Sequence, residues 1–307
     1  MTRVVPGPAL ERLGAEHDLD VWPEDRPIPR DELLRRVHDA EGLLSMLSDR
    51  IDEELLEAAP RLRAVANYAV GYDNVDVPAL TARGVPLGNT PDVLTDATAD
   101  IAFALILAAA RRLVEGAEAV RKGEWAEWSP TALLGHDIHG ATLGIVGPGR
   151  IGRAVARRAQ GFGMTVIESG RTSGVPLDEL LERSDFVSIH TPLTADTRGL
   201  IGERELRLMK QTAVLVNTSR GPIVDTGALV RALEQGWIAA AGLDVTDPEP
   251  LPVDHPLAKL PNATVVPHIG SATHRTREAM ADLCVDNLLA ALRGRRMPHC
   301  VNPEVYR

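Results

Sequence analysis

Cysteine is scarce in this chain: Cys284 and Cys300 are the only two. They supply neither a disulfide framework nor a metal-ligand spacing and suit a reducing compartment, so the expectation is a cytoplasmic protein without a bound metal. A basic surface is lacking too. The formal charge of -10 argues against nonspecific binding to nucleic acid or to anionic membranes, both of which need a basic face. The longest apolar run, Ile101 to Ala110, is too short to span a bilayer, and the start, MTRVVPGPALERL, has no apolar signal core. No low-complexity segment interrupts the chain. What remains is 307 residues, 44% hydrophobic and 25% charged, ordinary for a globular protein and long enough for two domains.

Between Ala141 and Ser173 an apolar run, ATLGIVG, breaks into Gly147-Pro148-Gly149-Arg150-Ile151-Gly152 and continues as a helix-like segment, AVARRAQGFG. Three glycines at this spacing allow a tight turn, close approach of backbone to a pyrophosphate, and close packing of helix on strand. The helix N-terminus adds N–H groups and a positive dipole end. A bare structural turn is the bland alternative, but a strand before, a helix after and a second strand beyond favour a dinucleotide site. That second strand, Met164 to Glu168, runs into Ser169-Gly170-Arg171-Thr172-Ser173. Its tip carries no acid to bond a ribose 2′-hydroxyl and holds an arginine suited to a 2′-phosphate, so the reading prefers NADP, with NAD possible. Were the strand to end earlier, Glu168 would become the ribose acid and the preference would reverse.

From the fingerprint onward TLGIVG, MTVI, DFVSI, AVLVN, AAGLDV and ATVVP alternate with helical patterns such as PLDELLERS and DTGALVRALEQG. Runs apolar on both faces imply strands covered by helices on either side, the doubly wound arrangement. The chain up to Leu94 repeats the theme, with strand candidates at Val21-Trp22 and in GLLSML, LRAVANYAV and VPLGNT, and helices in PRDELLRRVHDA and DEELLEAA. Val4-Val5 runs at once into Pro6, so a first strand there is very short or missing. Leu94 to Lys122 reads as one long connector helix capped by Thr95 or Asp96 and bearing a broad apolar stripe. Ser271 to Leu292, ended by Gly294, is another helix, placed to return the chain to the first domain. The predicted fold class is therefore α/β: two Rossmann-like doubly wound domains with parallel sheets and a cleft between them. Residues 1–94 plus 272–307 form a substrate domain, and residues 95–271 form a dinucleotide-binding domain.

Three polar residues follow strand candidates: Arg220 after AVLVNTS, Glu249 after AAGLDVTDP and His268 after ATVVP. In a parallel sheet the carboxyl ends of strands share one edge, so these side chains can converge beside a nicotinamide. Arginine grips a 2-oxo carboxylate and polarises the neighbouring carbonyl. Histidine delivers a proton as hydride reaches the carbonyl carbon, and a glutamate bonded to it holds its tautomer. Taken singly, each has a bland reading: a cap on carbonyls, an acid in a Pro-rich loop, a satisfied turn histidine. Their joint placement outweighs these. His190, at the end of DFVSI, stays with the bland reading.

In this order NYAVGYDNVD (67–76), GPGRIG (147–152), NTSRGPIVD (217–225), GLDVTDPEPLP (242–252) and PHIGSATHRTR (267–277) resemble the D-isomer-specific 2-hydroxyacid dehydrogenases, most closely the glyoxylate/hydroxypyruvate reductases. The likeness covers nearly the whole chain. It implies an enzyme that passes hydride from NAD(P)H to a small 2-oxo acid, with Arg220, Glu249 and His268 as the catalytic trio and His268 as general acid. It further implies that the backbone N–H groups of Val70 and Gly71 bind the substrate carboxylate and that Ser271 lies beside the histidine. Thr95, Arg150, Ile151, Thr191, Thr218, Asp244 and Gly270 would contact cofactor, together with Gly147, Gly149, Gly152, Gly170, Arg171 and Thr172 of the fingerprint and strand tip. GEWAEWSP (123–130) resembles the loop by which such reductases present a tryptophan to the neighbouring subunit's active site. Trp128 is the candidate, either for that role or as a hydrophobic anchor in the interface. The implied assembly is a homodimer built on the connector helix, with the stripe Ile101 to Ala110 as its contact. Pro148, where the family usually has an aliphatic residue, and Gly170, where NAD-specific members have an acid, are departures. A phosphoglycerate-type dehydrogenase and a non-catalytic nucleotide-sensing protein like the family's corepressors are the alternative readings; no extra cationic cluster favours the former, and turnover on 2-oxo acids separates the latter.

Overall fold

Short apolar runs become parallel strands throughout the computed structural model, which describes all residues 1–307. The chain divides into two units, Met1–Leu94 with Ala272–Arg307, and Thr95–Ser271. In the first unit the order is α1 (Ala9–Gly14), α2 (Arg30–Val37), β1 (Gly42–Ser45), α3 (Glu53–Ala58), β2 (Ala64–Asn67), α4 (Val77–Ala82) and β3 (Leu87–Gly88). The three strands pair in parallel in the order β1-β2-β3, with Leu43, Val65 and Leu87 in register. On that face they pack with buried Leu55, Leu56 and Leu80 of α3 and α4. Asp52 and Asp76 start those two helices by accepting from the N–H groups of Leu55 at 3.1 Å and Ala79 at 2.9 Å, the usual satisfaction of orphan donors at a helix N-terminus.

No strand forms at Val21-Trp22. Pro23 follows and has no N–H to give a ladder, and the backbone N–H of Trp22 donates instead to the carbonyl of Met1 at 3.0 Å. The short start likewise yields no strand: Thr2 makes one ladder-like bond, to Leu44 O at 3.2 Å, before Pro6 removes a donor.

The second unit runs α5 (Thr95–Ala110), α6 (Leu113–Lys122), β4 (Thr142–Val146), α7 (Arg150–Gly161), β5 (Thr165–Ser169), α8 (Leu177–Arg183), β6 (Phe186–Ile189), α9 (Glu203–Leu208), β7 (Val214–Asn217), α10 (Thr226–Glu234), β8 (Ala240–Leu243) and β9 (Ala263–Val265). Its six strands are all parallel in the order β5-β4-β6-β7-β8-β9. The strands β6, β7 and β8 are buried at every residue because both faces are covered: α5 and α7 pack on one, α8, α9 and α10 on the other. Strand order reverses at β4, which leaves the glycine turn at the topological switch point. The chain then returns to the first unit as α11 (His274–Leu292), capped by Thr273 and lying against β1, β2 and β3.

The expected single connector helix is two helices. Arg112 takes a left-handed conformation, φ 52°, between α5 and α6. A distant segment makes the break: the N–H of His136 takes the last carbonyl of α5, Ala110 O, at 2.9 Å, and Gly135 lies so close to that oxygen that no side chain fits. The stripe on α5 is largely turned inward. Ala102, Phe103, Leu105, Ile106, Ala109 and Ala110 are buried inside their own unit against α7, β7 and β8. No helix is long and apolar enough to cross a membrane.

Candidate active site

The carboxyl edge of the six-stranded sheet carries nearly every candidate residue. After β4, Gly147 adopts φ +88°, and a Cβ there would lie 2.7 Å from the N atom of Thr191. Its N–H donates to Ser169 O at 2.8 Å, while Gly149 donates to Gly147 O at 2.8 Å and opens α7. A Cβ on Gly152 would meet Gly147 O at 2.6 Å, so only glycine lets the helix sit this close to the strand end. The first turn of α7, from Arg150 to Gly152, points its backbone N–H groups toward the glycine turn at the positive end of the helix. This cradle fits a pyrophosphate.

Strand β5 ends at Ser169, with Glu168 inside the ladder opposite Ile145. Glu168 is thus a strand residue, and Gly170 is the first beyond the end. The tip closes on itself through Gly170 N–H to Ser173 O at 2.9 Å and a bridge between Ser169 and Gly174. Arg171 and Thr172 are exposed there, and Arg171 makes no hydrogen bond or ion pair. On the other side of β4, after β6, His190 Nε2 meets Ser188 Oγ at 2.8 Å, and burial pushes the imidazole down to about 3, so His190 is a neutral, satisfied group. Thr191 follows it, its carbonyl accepting from the Ser219 hydroxyl. Beyond β7 the Thr218 hydroxyl is buried with no hydrogen-bond partner, an orphan of the kind a bound ligand satisfies. Thr95 is half-buried at the start of α5.

Arg220 is held by its neighbour Asn217. The side chain of Asn217 donates to Arg220 O at 2.8 Å and accepts from the Ser219 N–H at 3.0 Å, an Asx turn that aims the loop off the strand end. Arg220 itself donates from Nη1 to Ser219 O at 2.8 Å. The loop after β8 is fastened by Thr246, whose hydroxyl donates to Pro248 O at 2.8 Å and whose N–H donates to Glu249 Oε2 at 3.4 Å. Glu249 Oε1 lies 2.6 Å from His268 Nδ1. Burial raises the Glu249 carboxyl, but the His268 hydrogen bond and charge, the Thr246 N–H and the charge of Arg220 together hold it below the usual carboxylate range. Arg220, Glu249 and His268 therefore occupy one electrostatic neighbourhood.

His268 sits in the left-handed region, φ 51°, a conformation uncommon for a residue with a Cβ. Asp244 holds it there. The Asp244 carbonyl accepts the His268 N–H at 2.9 Å, and its carboxylate accepts the N–H groups of Ile269 at 2.6 Å and Gly270 at 2.9 Å. A Cβ on Gly270 would strike that carboxylate at 2.8 Å. Burial raises Asp244, partly offset by the Ile269 N–H, the charge of His268 and the Gly270 N–H. The sequence reading missed this clamp on the histidine loop, as it missed Asn217. The Ser271 hydroxyl makes no hydrogen bond to His268.

In the first unit the loop after β2 is shaped by two asparagines: Asn89 donates to Val70 O at 2.9 Å and Asn67 to Gly71 O at 3.0 Å. The carbonyls are thereby fixed, and the N–H groups of Val70 and Gly71 donate to no protein acceptor. Trp128 is 79% exposed, in a segment with exposed Trp125 and Leu134. No group of three or more histidine, cysteine, aspartate or glutamate side chains is placed to hold a metal.

Residues 103–270 match the family model for the NAD binding domain of D-isomer specific 2-hydroxyacid dehydrogenases. A glyoxylate reductase of Korarchaeum cryptofilum is 52% identical over 319 aligned positions, covering all of this chain and 96% of the relative. The crystal structure of the TT0316 protein from Thermus thermophilus superimposes with a TM-score of 0.94 at 51% identity, covering 98% of both chains. An NADPH-dependent glyoxylate/hydroxypyruvate reductase from Sinorhizobium meliloti, solved with NADP and malonate, gives a TM-score of 0.83 at 35% identity over 99% of this chain and 96% of that one. The chain belongs to the D-isomer specific 2-hydroxyacid dehydrogenase family of nicotinamide-dependent oxidoreductases.

Proposed function

We propose that this enzyme reduces a small 2-oxo acid, glyoxylate or hydroxypyruvate, to glycolate or D-glycerate, with NADPH as the favoured cofactor. The observation that carries the reading is the 2.6 Å contact between His268 Nδ1 and Glu249, which commits one ring nitrogen to the carboxylate and leaves Nε2 for the substrate. Bound nicotinamide supplies the hydride to the keto carbon. His268 Nε2 gives its proton to the keto oxygen, so the 2-oxo acid gains one hydride and one proton and becomes the 2-hydroxy acid. Arg220 polarises that carbonyl and pairs with the carboxylate, charge-assisted bonds of about 1.5–3 kcal/mol. Ser271 borders the histidine, and in the first unit the N–H groups of Val70 and Gly71, which donate to no protein acceptor, suit a carboxylate. Glu249 keeps the ring oriented and compensates the charge of its protonated form.

For the cofactor, the open N–H groups of α7 receive the pyrophosphate, and the unpartnered Thr218 hydroxyl faces it with Thr95, Thr191, Asp244 and Gly270 as further contacts. Arg171, lacking any protein partner, meets the 2′-phosphate with Thr172 beside it; this supports NADP over NAD. The assembly we infer is a homodimer. Its support is the apolar surface left outside the core by α6 and the segment after it: Leu113, Val114, Val120, Trp125, Trp128 and Leu134. Replacing His268 by Ala should cost roughly 10²- to 10⁴-fold in kcat, the worth of a positioned proton donor. Near wild-type turnover on glyoxylate and hydroxypyruvate would remove His268 from the reaction.

A further inference from the structure

We propose that Pro148 is a specificity-determining residue for the cofactor, acting by keeping position 170 a glycine; the inference rests on the reading of Arg171 as the 2′-phosphate ligand. Gly170 is the first residue past β5, the place where an acid would bond a ribose 2′-hydroxyl and select NAD. A Cβ there would lie 2.9 Å from Pro148 Cδ and 3.2 Å from Cγ. An aliphatic side chain at position 148 would rotate out of the way. The proline ring is closed onto its own backbone nitrogen and has no such rotation.

Displacing the ring means displacing the glycine turn, and that turn is fixed on both sides. Gly147 N–H is tied to Ser169 O at 2.8 Å, immediately before Gly170. On the other side Gly147 lies against the Thr191 backbone with no room for a methyl group. A side chain at 170 therefore pushes on the glycine turn that leads into the N–H groups receiving the pyrophosphate. The chain is locked out of the acid that reads NAD, and the ground beside Arg171 stays open for a phosphate. Pro148 gives up an N–H and in exchange enforces the choice between cofactors.

The test is a double-mutant cycle on the full chain with P148A, G170D and P148A/G170D, reading NADH and NADPH dissociation constants by cofactor fluorescence and kcat/KM on glyoxylate. G170D alone should weaken both cofactors and gain no NADH binding. The double variant should bind NADH about tenfold more tightly than G170D, since its acid now seats against the ribose. Equal NADH affinity in G170D and P148A/G170D would overturn the proposal. Because G170D adds charge as well as bulk and can fail to fold, G170A repeats the cycle with one methyl group. It should lower the melting temperature of the cofactor-free protein by about 2–4 °C, and P148A should relieve most of that loss; the same loss in both backgrounds refutes the contact. R171A separates the two readings. If it weakens NADH and NADPH equally, the 2′-phosphate assignment falls while the coupling between positions 148 and 170 still stands or falls on its own cycle.

Discussion

Replacing Glu249 by Gln keeps an acceptor 2.6 Å from His268 Nδ1 and removes only its charge. A charge-assisted hydrogen bond contributes about 1.5–3 kcal/mol and a neutral one about 1 kcal/mol, a difference of roughly 0.5–2 kcal/mol. The two side chains are 27% and 41% exposed, so solvent screening puts the working figure at roughly 1 kcal/mol. Each factor of ten in rate corresponds to about 1.4 kcal/mol, so kcat/KM for reduction should fall roughly three- to tenfold at neutral pH. The carboxylate's contribution is complete above the usual carboxylate range and is lost in the wild type only as pH falls through the lowered value of Glu249. Glu249→Gln should abolish that acid-side dependence. Profiles of kcat/KM against pH in glyoxylate reduction would show both effects. A hundredfold loss uniform across the pH range would refute the orienting role and make Glu249 a direct participant.

Asp244→Asn turns an amide NH₂ against one of two N–H donors, Ile269 or Gly270. It should destabilise the protein by about 1–3 kcal/mol and lower kcat by loosening His268; unchanged melting with unchanged kcat would exclude the clamp. Because burial holds His190 neutral down to about 3, the protein should lose stability as pH falls from the unfolded value near 6.5 toward 3, by about 1.4 kcal/mol per pH unit. His190→Asn should flatten that slope in urea titrations, and an identical slope would count against it. Val120→Asp on α6, 57% exposed, should convert a dimer to monomers in light scattering; an unchanged mass would place the interface elsewhere.

Much of the fold is legible in the sequence for a physical reason. A parallel strand covered on both faces is apolar at nearly every position, so Val214–Asn217 and Phe186–Ile189 stand out as short runs between helical periods, with Asn217 and Ser188 their polar members. The trio is legible for the same reason, since Arg220, Glu249 and His268 each follow such a run. What the sequence hides is made by contacts between distant segments. Ala110-Arg111-Arg112-Leu113 holds no Gly or Pro, and the helix breaks there because Gly135 and His136 occupy its end. The apolar stripe on α5 looks the same whether a neighbour of its own unit or of another subunit covers it. Asp244 reads as one more polar residue beyond a strand, because nothing local says that the N–H groups it serves lie 25 and 26 residues on. Val21-Trp22 misleads in the opposite direction, with strand-like residues that find no parallel partner.

Arg220, Glu249, His268 and the groups that support them, Asn217, Asp244 and Thr246, all belong to the unit Thr95–Ser271. The chain crosses out of that unit only at Leu94–Thr95 and at Ser271–Ala272. The Glu249–His268 contact is therefore completed by the folding of one unit alone, with no docking step. Substitutions in residues 1–94 and 272–307 should leave that 2.6 Å contact standing, whereas substitutions at Asp244 or Thr246 should disturb it.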